Sequence, residues 1–116
     1  MLPKANRLKK KKDFEKVFKK GKGHKEDFLY LKVVENNLKN SRFGFAVSKK
    51  ISKKATIRNQ IKRRLRELVR IKLPQIKKGV DGVIVVMPGL EKKDFWEMES
   101  IIDKLFTKAE ILEIKN

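Results

Sequence analysis

Residues 49–72 carry eleven Lys or Arg against a single acid, Glu67. Within them Ile57, Ile61, Leu65, Leu68 and Val69 recur at i, i+4, i+8, i+11 and i+12. That spacing predicts a helix over 57–72 with one buried stripe. At 100° per residue the stripe spans roughly 0–120° from Ile57, while Arg58, Lys62, Arg66, Asn59, Arg70 and Arg63 fall between roughly 100° and 240°. The helix is therefore pinned to a core on one side and presents cations on the adjoining side. A solvated helix normally mixes signs so that acids pair with Lys or Arg. Glu67 alone cannot serve that purpose, so a polyanion is the natural partner.

The charge of the whole chain extends the argument. Its 116 residues suit one domain, and the formal net charge is +18. Residues 1–79 hold 27 basic and 6 acidic residues, whereas residues 80–116 hold 5 and 8. The cations concentrate in two blocks, 1–25 and 49–72. Self-repulsion of this size destabilises the free protein, and a bound anion offsets it. Cysteine is absent, which excludes disulfides, thiolate metal sites and a Cys nucleophile. No apolar run of about eighteen residues predicts a membrane span. The basic N-terminus lacks the apolar core of a secretion signal, so a cytoplasmic protein is expected.

Along the chain, residues 1–12 read as a flexible basic arm. Asp13 offers an N-cap to a short helix carrying Phe14, Val17 and Phe18, which Gly21 stops. Phe28–Val34 and Arg42–Ser48 both alternate, and the turn composition of Asn36–Asn40 between them predicts an antiparallel hairpin. Leu29, Leu31, Val33, Phe43, Phe45 and Val47 form its core face. Phe28, Tyr30, Lys32, Arg42, Gly44, Ala46 and Ser48 form the other. Two aromatics, two cations and small residues suit a groove for single-stranded nucleic acid, although the two rings could equally be packed beneath the short helix. Val83–Met87 reads as a central strand covered on both faces. Asp94 and Glu97 resemble a capping box ahead of a last helix whose apolar stripe runs from Phe95 to Leu112. The order helix, strand, strand, helix, strand, helix predicts an α+β fold, a two-layer α/β sandwich on a small, mostly antiparallel sheet with three helices.

Catalytic candidates are few. His24, the sole histidine, lies in a Gly/Lys-rich loop without an orienting group. Ser48 and Ser52 have no evident base. Asp81, Asp94 and Asp103 could be imagined around Mg²⁺, but Asp94 is better explained as a cap. No protein-bound metal, catalytic residue or phosphate loop is expected.

Ser48-Lys49-Lys50-Ile51 leading into Ala55-Thr56-Ile57-Arg58-Asn59-Gln60-Ile61-Lys62-Arg63-Arg64-Leu65-Arg66-Glu67 resembles the protein subunit of bacterial ribonuclease P. So do Asn6-Arg7-Leu8, Asp13-Phe14 and Val17-Phe18 before Gly21. The likeness covers nearly the whole chain in order and length. Gln60 departs from it, standing where the family usually has the second Arg of an Arg-Asn-Arg signature. The resemblance implies a single RNA-binding domain over 1–116, with 1–12 a basic arm, and a left-handed strand–helix–strand crossover. It implies a non-catalytic subunit of an RNA-based endoribonuclease that removes the 5′ leader of precursor tRNA. The partners would be the catalytic RNA, carrying most of the Mg²⁺, and precursor tRNA, with no membrane and no obligate protein partner. The catalytic RNA would meet Lys49, Lys50, Lys53, Lys54, Arg58, Asn59, Gln60, Lys62, Arg63, Arg66 and Arg70. The leader would meet the family-like cleft positions Phe14, Phe18, Phe28 and Tyr30, with Lys32, Arg42 and Ser48 on the groove face beside them. A ribosomal protein is the main rival. A DNA-binding module is weaker, since no partner helix precedes 57–72 at helix-turn-helix spacing.

Overall fold

The apolar run that begins at Val83 organises the molecule. In the computed structural model, which describes residues 2–113, the elements in chain order are α1 (Lys11–Lys20), β1 (Lys22–Glu26), β2 (Leu29–Glu35), β3 (Arg42–Ala46), α2 (Ala55–Lys72), β4 (Val80–Val86) and α3 (Phe95–Lys108). The sheet order is β1-β2-β4-β3. Strand β4 runs antiparallel to β2 and parallel to β3, and β1 pairs antiparallel with β2. Its side chains alternate between two cores. Val80, Ile84 and Val86 join the main core, while Val83 joins a smaller one that Val85 packs against. A strand apolar on both faces is stable only between neighbours and beneath cover on each side.

That competition corrects the expected hairpin. Strands β2 and β3 do not pair with each other; β4 lies between them, and β3 joins it through α2 as a parallel crossover. The Asn36–Asn40 turn is held to β4 rather than closing a hairpin. The Asn36 amide N–H donates to the Gly79 carbonyl at 2.8 Å, and its side chain donates to Asp81 Oδ1 at 2.8 Å. The face assignment survives the change of partner. Leu29, Leu31 and Phe43 are buried in the main core, with Val33, Phe45 and Val47 packed against it. A second correction is β1, which stands where a Gly/Lys-rich loop is expected. Edge strands tolerate polar, charged sequence, so Lys22-Gly23-His24-Lys25-Glu26 carries no apolar alternation to betray it.

Helices α2 and α3 cover one face of the sheet and α1 lies on the other. Ile61, Leu65, Leu68 and Val69 of α2 meet Met98, Ile102, Leu105 and Phe106 of α3 over the main core. Phe106 stacks on Phe43 at 5.8 Å. The capping box at Asp94 forms as expected, with Glu97 N–H donating to Asp94 at 2.8 Å, and such a cap is worth about 1 kcal/mol. Helix α3 ends at Lys108; the last residue of the expected stripe, Leu112, instead bridges to Ile76. On the opposite face Val17 packs with Leu8 and Val83, and Phe14 leans on them. Helix α1 starts at Lys11 without a side-chain cap. Asp13 is not its N-cap; it lies in the first turn, where it pairs with Arg42 at 3.4 Å.

The basic N-terminal segment is not a loose arm. Leu2 is fully buried in the main core, and Leu8 is buried in the smaller one. Between them Arg7 bridges to Phe43, and Leu8 N–H donates to the Phe43 carbonyl at 2.9 Å. The segment straps the free edge of β3, with one apolar anchor in each core. No helix among the described residues is long and apolar enough to cross a membrane.

Candidate nucleic-acid interface

The helix expected over 57–72 begins two residues earlier, and its approach loop is braced. Ile51 is buried. The Ser48 and Ser52 hydroxyls accept from the Lys50 and Lys54 amides at 3.3 and 3.2 Å. Arg58 Nη1 donates to the Ser52 carbonyl at 2.8 Å. These bonds set the loop against the first turn of α2, so that Lys49, Lys50, Lys53 and Lys54, all exposed, project from an ordered frame. Ser48 is also exposed, but its hydroxyl is engaged in this turn.

Along α2 the cations differ in how far they are neutralised. Arg58, Lys62 and Arg66 lie at successive i, i+4 positions and so share a flank; no ion pair among the described residues engages them. Arg66 rests on the Phe45 ring at 6.0 Å. Asn59, Gln60 and Arg63 are exposed. Arg70 differs: it is bonded to Glu67, which raises the guanidinium pKa and lowers that of the carboxylate. Its charge is offset within the helix.

The Arg58–Lys62–Arg66 flank continues onto the strapped edge of β3. There Arg7, Lys9, Phe14, Gly44, Phe45 and Arg66 border a cavity of about 370 Å³. Gly44 is required at this point. A Cβ on it would stand 2.3 Å from Phe14 Cζ, so the missing side chain lets the first aromatic of α1 lie on the sheet. Phe18, one turn further along α1, is 43% exposed. Its carbonyl accepts from Lys32 Nζ at 2.7 Å. Lys32 is thereby tied to α1, and it comes together with Phe14, Phe18 and Tyr30 on the outer sheet face.

Of the residues expected in this groove, Phe28 lies elsewhere and Arg42 is already engaged. Phe28 sits in the β1–β2 turn and packs against the main core. Its ring occupies the space over Gly89, and Lys93 Nζ lies 5.3 Å from the ring centre. The alternation that put Phe28 beside Tyr30 stops at the strand's first residue, Leu29, and the turn swings the ring away. Arg42 is on the expected face, but its guanidinium grips Asp81 with bonds of 2.9 and 2.7 Å and also faces Asp13. The Asp81 bonds raise its pKa. Arg42 ties α1 to the sheet and is not free to meet a phosphate.

Asp81, Asp94 and Asp103 are dispersed. Asp81 holds Arg42, Asp94 caps α3, and Asp103 pairs with Lys72. Among the described residues no three His, Asp or Glu converge as a metal site. Sequence reasoning also missed contributors at the β3 edge of the sheet. Arg7 and Lys9 seemed part of a loose arm, and only the burial of Leu2 and Leu8 brings them to α2.

A family model described as Ribonuclease P matches residues 2–110. The chain belongs to the ribonuclease P protein family. The ribonuclease P protein component of Synechocystis sp. is 40% identical over 113 residues, spanning 97% of this chain and 91% of that protein. That of Syntrophomonas wolfei is 42% identical over 109 residues, spanning 94% and 91%. Among solved structures, the ribonuclease P protein of Thermotoga maritima superposes with a TM-score of 0.81 at 31% identity, covering 95% of this chain and 98% of that one. The Staphylococcus aureus protein gives 0.87 at 25% identity, covering 95% and 100%. The α+β fold with three helices on a four-stranded mixed sheet is thus the fold of ribonuclease P proteins.

Proposed function

We propose that this chain is the protein subunit of a cytoplasmic ribonuclease P, binding the catalytic RNA and the 5′ leader of precursor tRNA during removal of that leader. The observation that carries this reading is contiguity. The unneutralised flank Arg58–Lys62–Arg66 runs into the cavity beside Arg7 and Lys9, whose wall is Phe14 of the aromatic groove. One surface can therefore meet a folded RNA and an adjoining single strand. Family membership supports the association with ribonuclease P RNA.

On this reading the protein screens repulsion between two RNAs and holds the leader extended, while the RNA holds most of the Mg²⁺ and performs cleavage. Cations set against phosphates replace condensed counterions, so the affinity for catalytic RNA is salt-dependent. Arg58→Ala and Lys62→Ala are each expected to weaken that binding and to flatten its log–log salt dependence by about one unit per lost phosphate contact. A filter-binding titration with an unchanged slope would reject these residues as phosphate contacts. Recovery of the protein from cells in mild salt, followed by sequencing of the bound nucleic acid, separates the reading from its rival: ribosomal RNA in place of ribonuclease P RNA would favour a ribosomal protein.

A further inference from the structure

On the outer sheet face a row of side chains crosses all four strands at the end away from the Gly44–Val83–Lys32–Gly23 row. Ala46 of β3 pairs with Val85 of β4, Val85 with Tyr30 of β2, and Tyr30 with Lys25 of β1. Directly paired residues point to the same face, so these four side chains share it. Three strand spacings make the row about 14 Å long. Ala46, Val85 and Tyr30 are half-buried and Lys25 is exposed. Helix α1 covers the neighbouring row, where Phe14 lies over Gly44 and Lys32 is bonded to the Phe18 carbonyl. The Ala46–Lys25 row runs beside that helix as an open strip.

Its far end is built to stay cationic. Gly23 allows Tyr30 to lean across onto β1, since a Cβ there would stand 1.9 Å from the Tyr30 hydroxyl. Lys108 of α3 donates to the Lys25 carbonyl at 2.8 Å and to Glu26 Oε2 at 2.7 Å. That grip fixes the end of β1 and keeps the one neighbouring strand acid on the opposite face, already paired. The Lys25 ammonium has no hydrogen-bond or ion-pair partner among the described residues, and no acid lies in its row.

We propose that Lys25 is a phosphate contact for the leader at the β1 rim, so that the single strand crosses the whole sheet from the β3 edge and leaves over β1. This rests on the leader-binding reading above and extends it to a residue outside the expected site. Bases lie over Val85 and Tyr30, and the next phosphate meets Lys25.

The test uses holoenzyme reconstituted with the catalytic RNA and precursor tRNAs whose leaders are shortened stepwise. Lys25→Ala, a substitution of an exposed side chain, is expected to weaken long-leader binding roughly two- to fivefold, the worth of one exposed ion pair. It should also lower the salt slope by about 0.7, the value for one single-strand phosphate. Lys25→Glu should lose more. Both losses should vanish once the leader is too short to reach β1. An unchanged slope, or equal losses with leaderless tRNA, overturns the proposal. Phe18→Ala and Tyr30→Ala run in parallel: if they show leader-dependent losses and Lys25→Ala does not, the strand stops short of β1. If none of the three does, the leader-binding reading itself falls.

Discussion

The Asp81→Ala variant is expected to lose about 3 kcal/mol of stability, the lower end of the range for removing one partner of a buried ion pair. Asp81 is 3% exposed and receives bonds from Arg42 and from the Asn36 side chain. Removing it leaves a guanidinium partly buried with only Asp13, at 3.4 Å, to answer it. The Arg42 side chain is 24% exposed, so water recovers part of the loss and the upper end is not reached. For a domain of this size, total stability is about 5–15 kcal/mol, so the shift in urea midpoint should be large with little change in slope. A loss under about 1 kcal/mol would reduce the pair to an ordinary surface contact. Arg42→Lys tests the same assignment from the other side. It keeps the charge but loses the two-pronged grip, and should destabilise the fold if Arg42 is a brace.

Phe18→Ala and Tyr30→Ala are each expected to cost about 1–3 kcal/mol of substrate affinity per lost base stack, or roughly five- to 150-fold in dissociation constant. The loss belongs to leader-bearing precursor and should be absent with mature-length tRNA. Phe18 is 43% exposed, so truncating it removes little packing. Phe28→Ala is the informative contrast: its ring packs against the main core by Gly89 and outside the groove. It should lower stability and leave leader discrimination intact. Equal losses for both substrates with Phe18→Ala and Tyr30→Ala would reduce these rings to packing.

The sequence exposes some of this architecture and conceals the rest for physical reasons. Helix α2 is legible because a stripe of apolar residues amid cations admits one periodicity. The capping box of α3 is local, fixed by Asp94 and Glu97 alone. The two faces of β2 and β3 are legible because successive side chains alternate between the sides of the sheet whatever the strand's partner. Pairing is not: a five-residue turn rich in Asn suggests a hairpin, and only the long apolar run of β4, arriving forty residues later, claims the place between the strands. Strand β1 is hidden because an edge strand needs no apolar face. The strap is hidden because two leucines, Leu2 and Leu8, anchor a segment that otherwise reads as charge. At the interface, the expected cations of α2 are where the stripe puts them; Arg70 meets Glu67 at a helical i,i+3 spacing, whereas Arg42 meets Asp81 from another strand, a pairing no local spacing exposes. Phe28 shows the limit of alternation, which holds inside a strand and fails at the turn residue before it.

Single-turnover cleavage of precursor tRNA at limiting Mg²⁺ tests the division of labour most directly, with protein alone, RNA alone and the two combined. The account predicts no cleavage by the protein and slow cleavage by the RNA. It predicts a gain for the pair that shrinks when the leader is removed or when Arg58 and Lys62 are neutralised. Cleavage by the protein without RNA, or a gain indifferent to both leader and α2 charge, would contradict it.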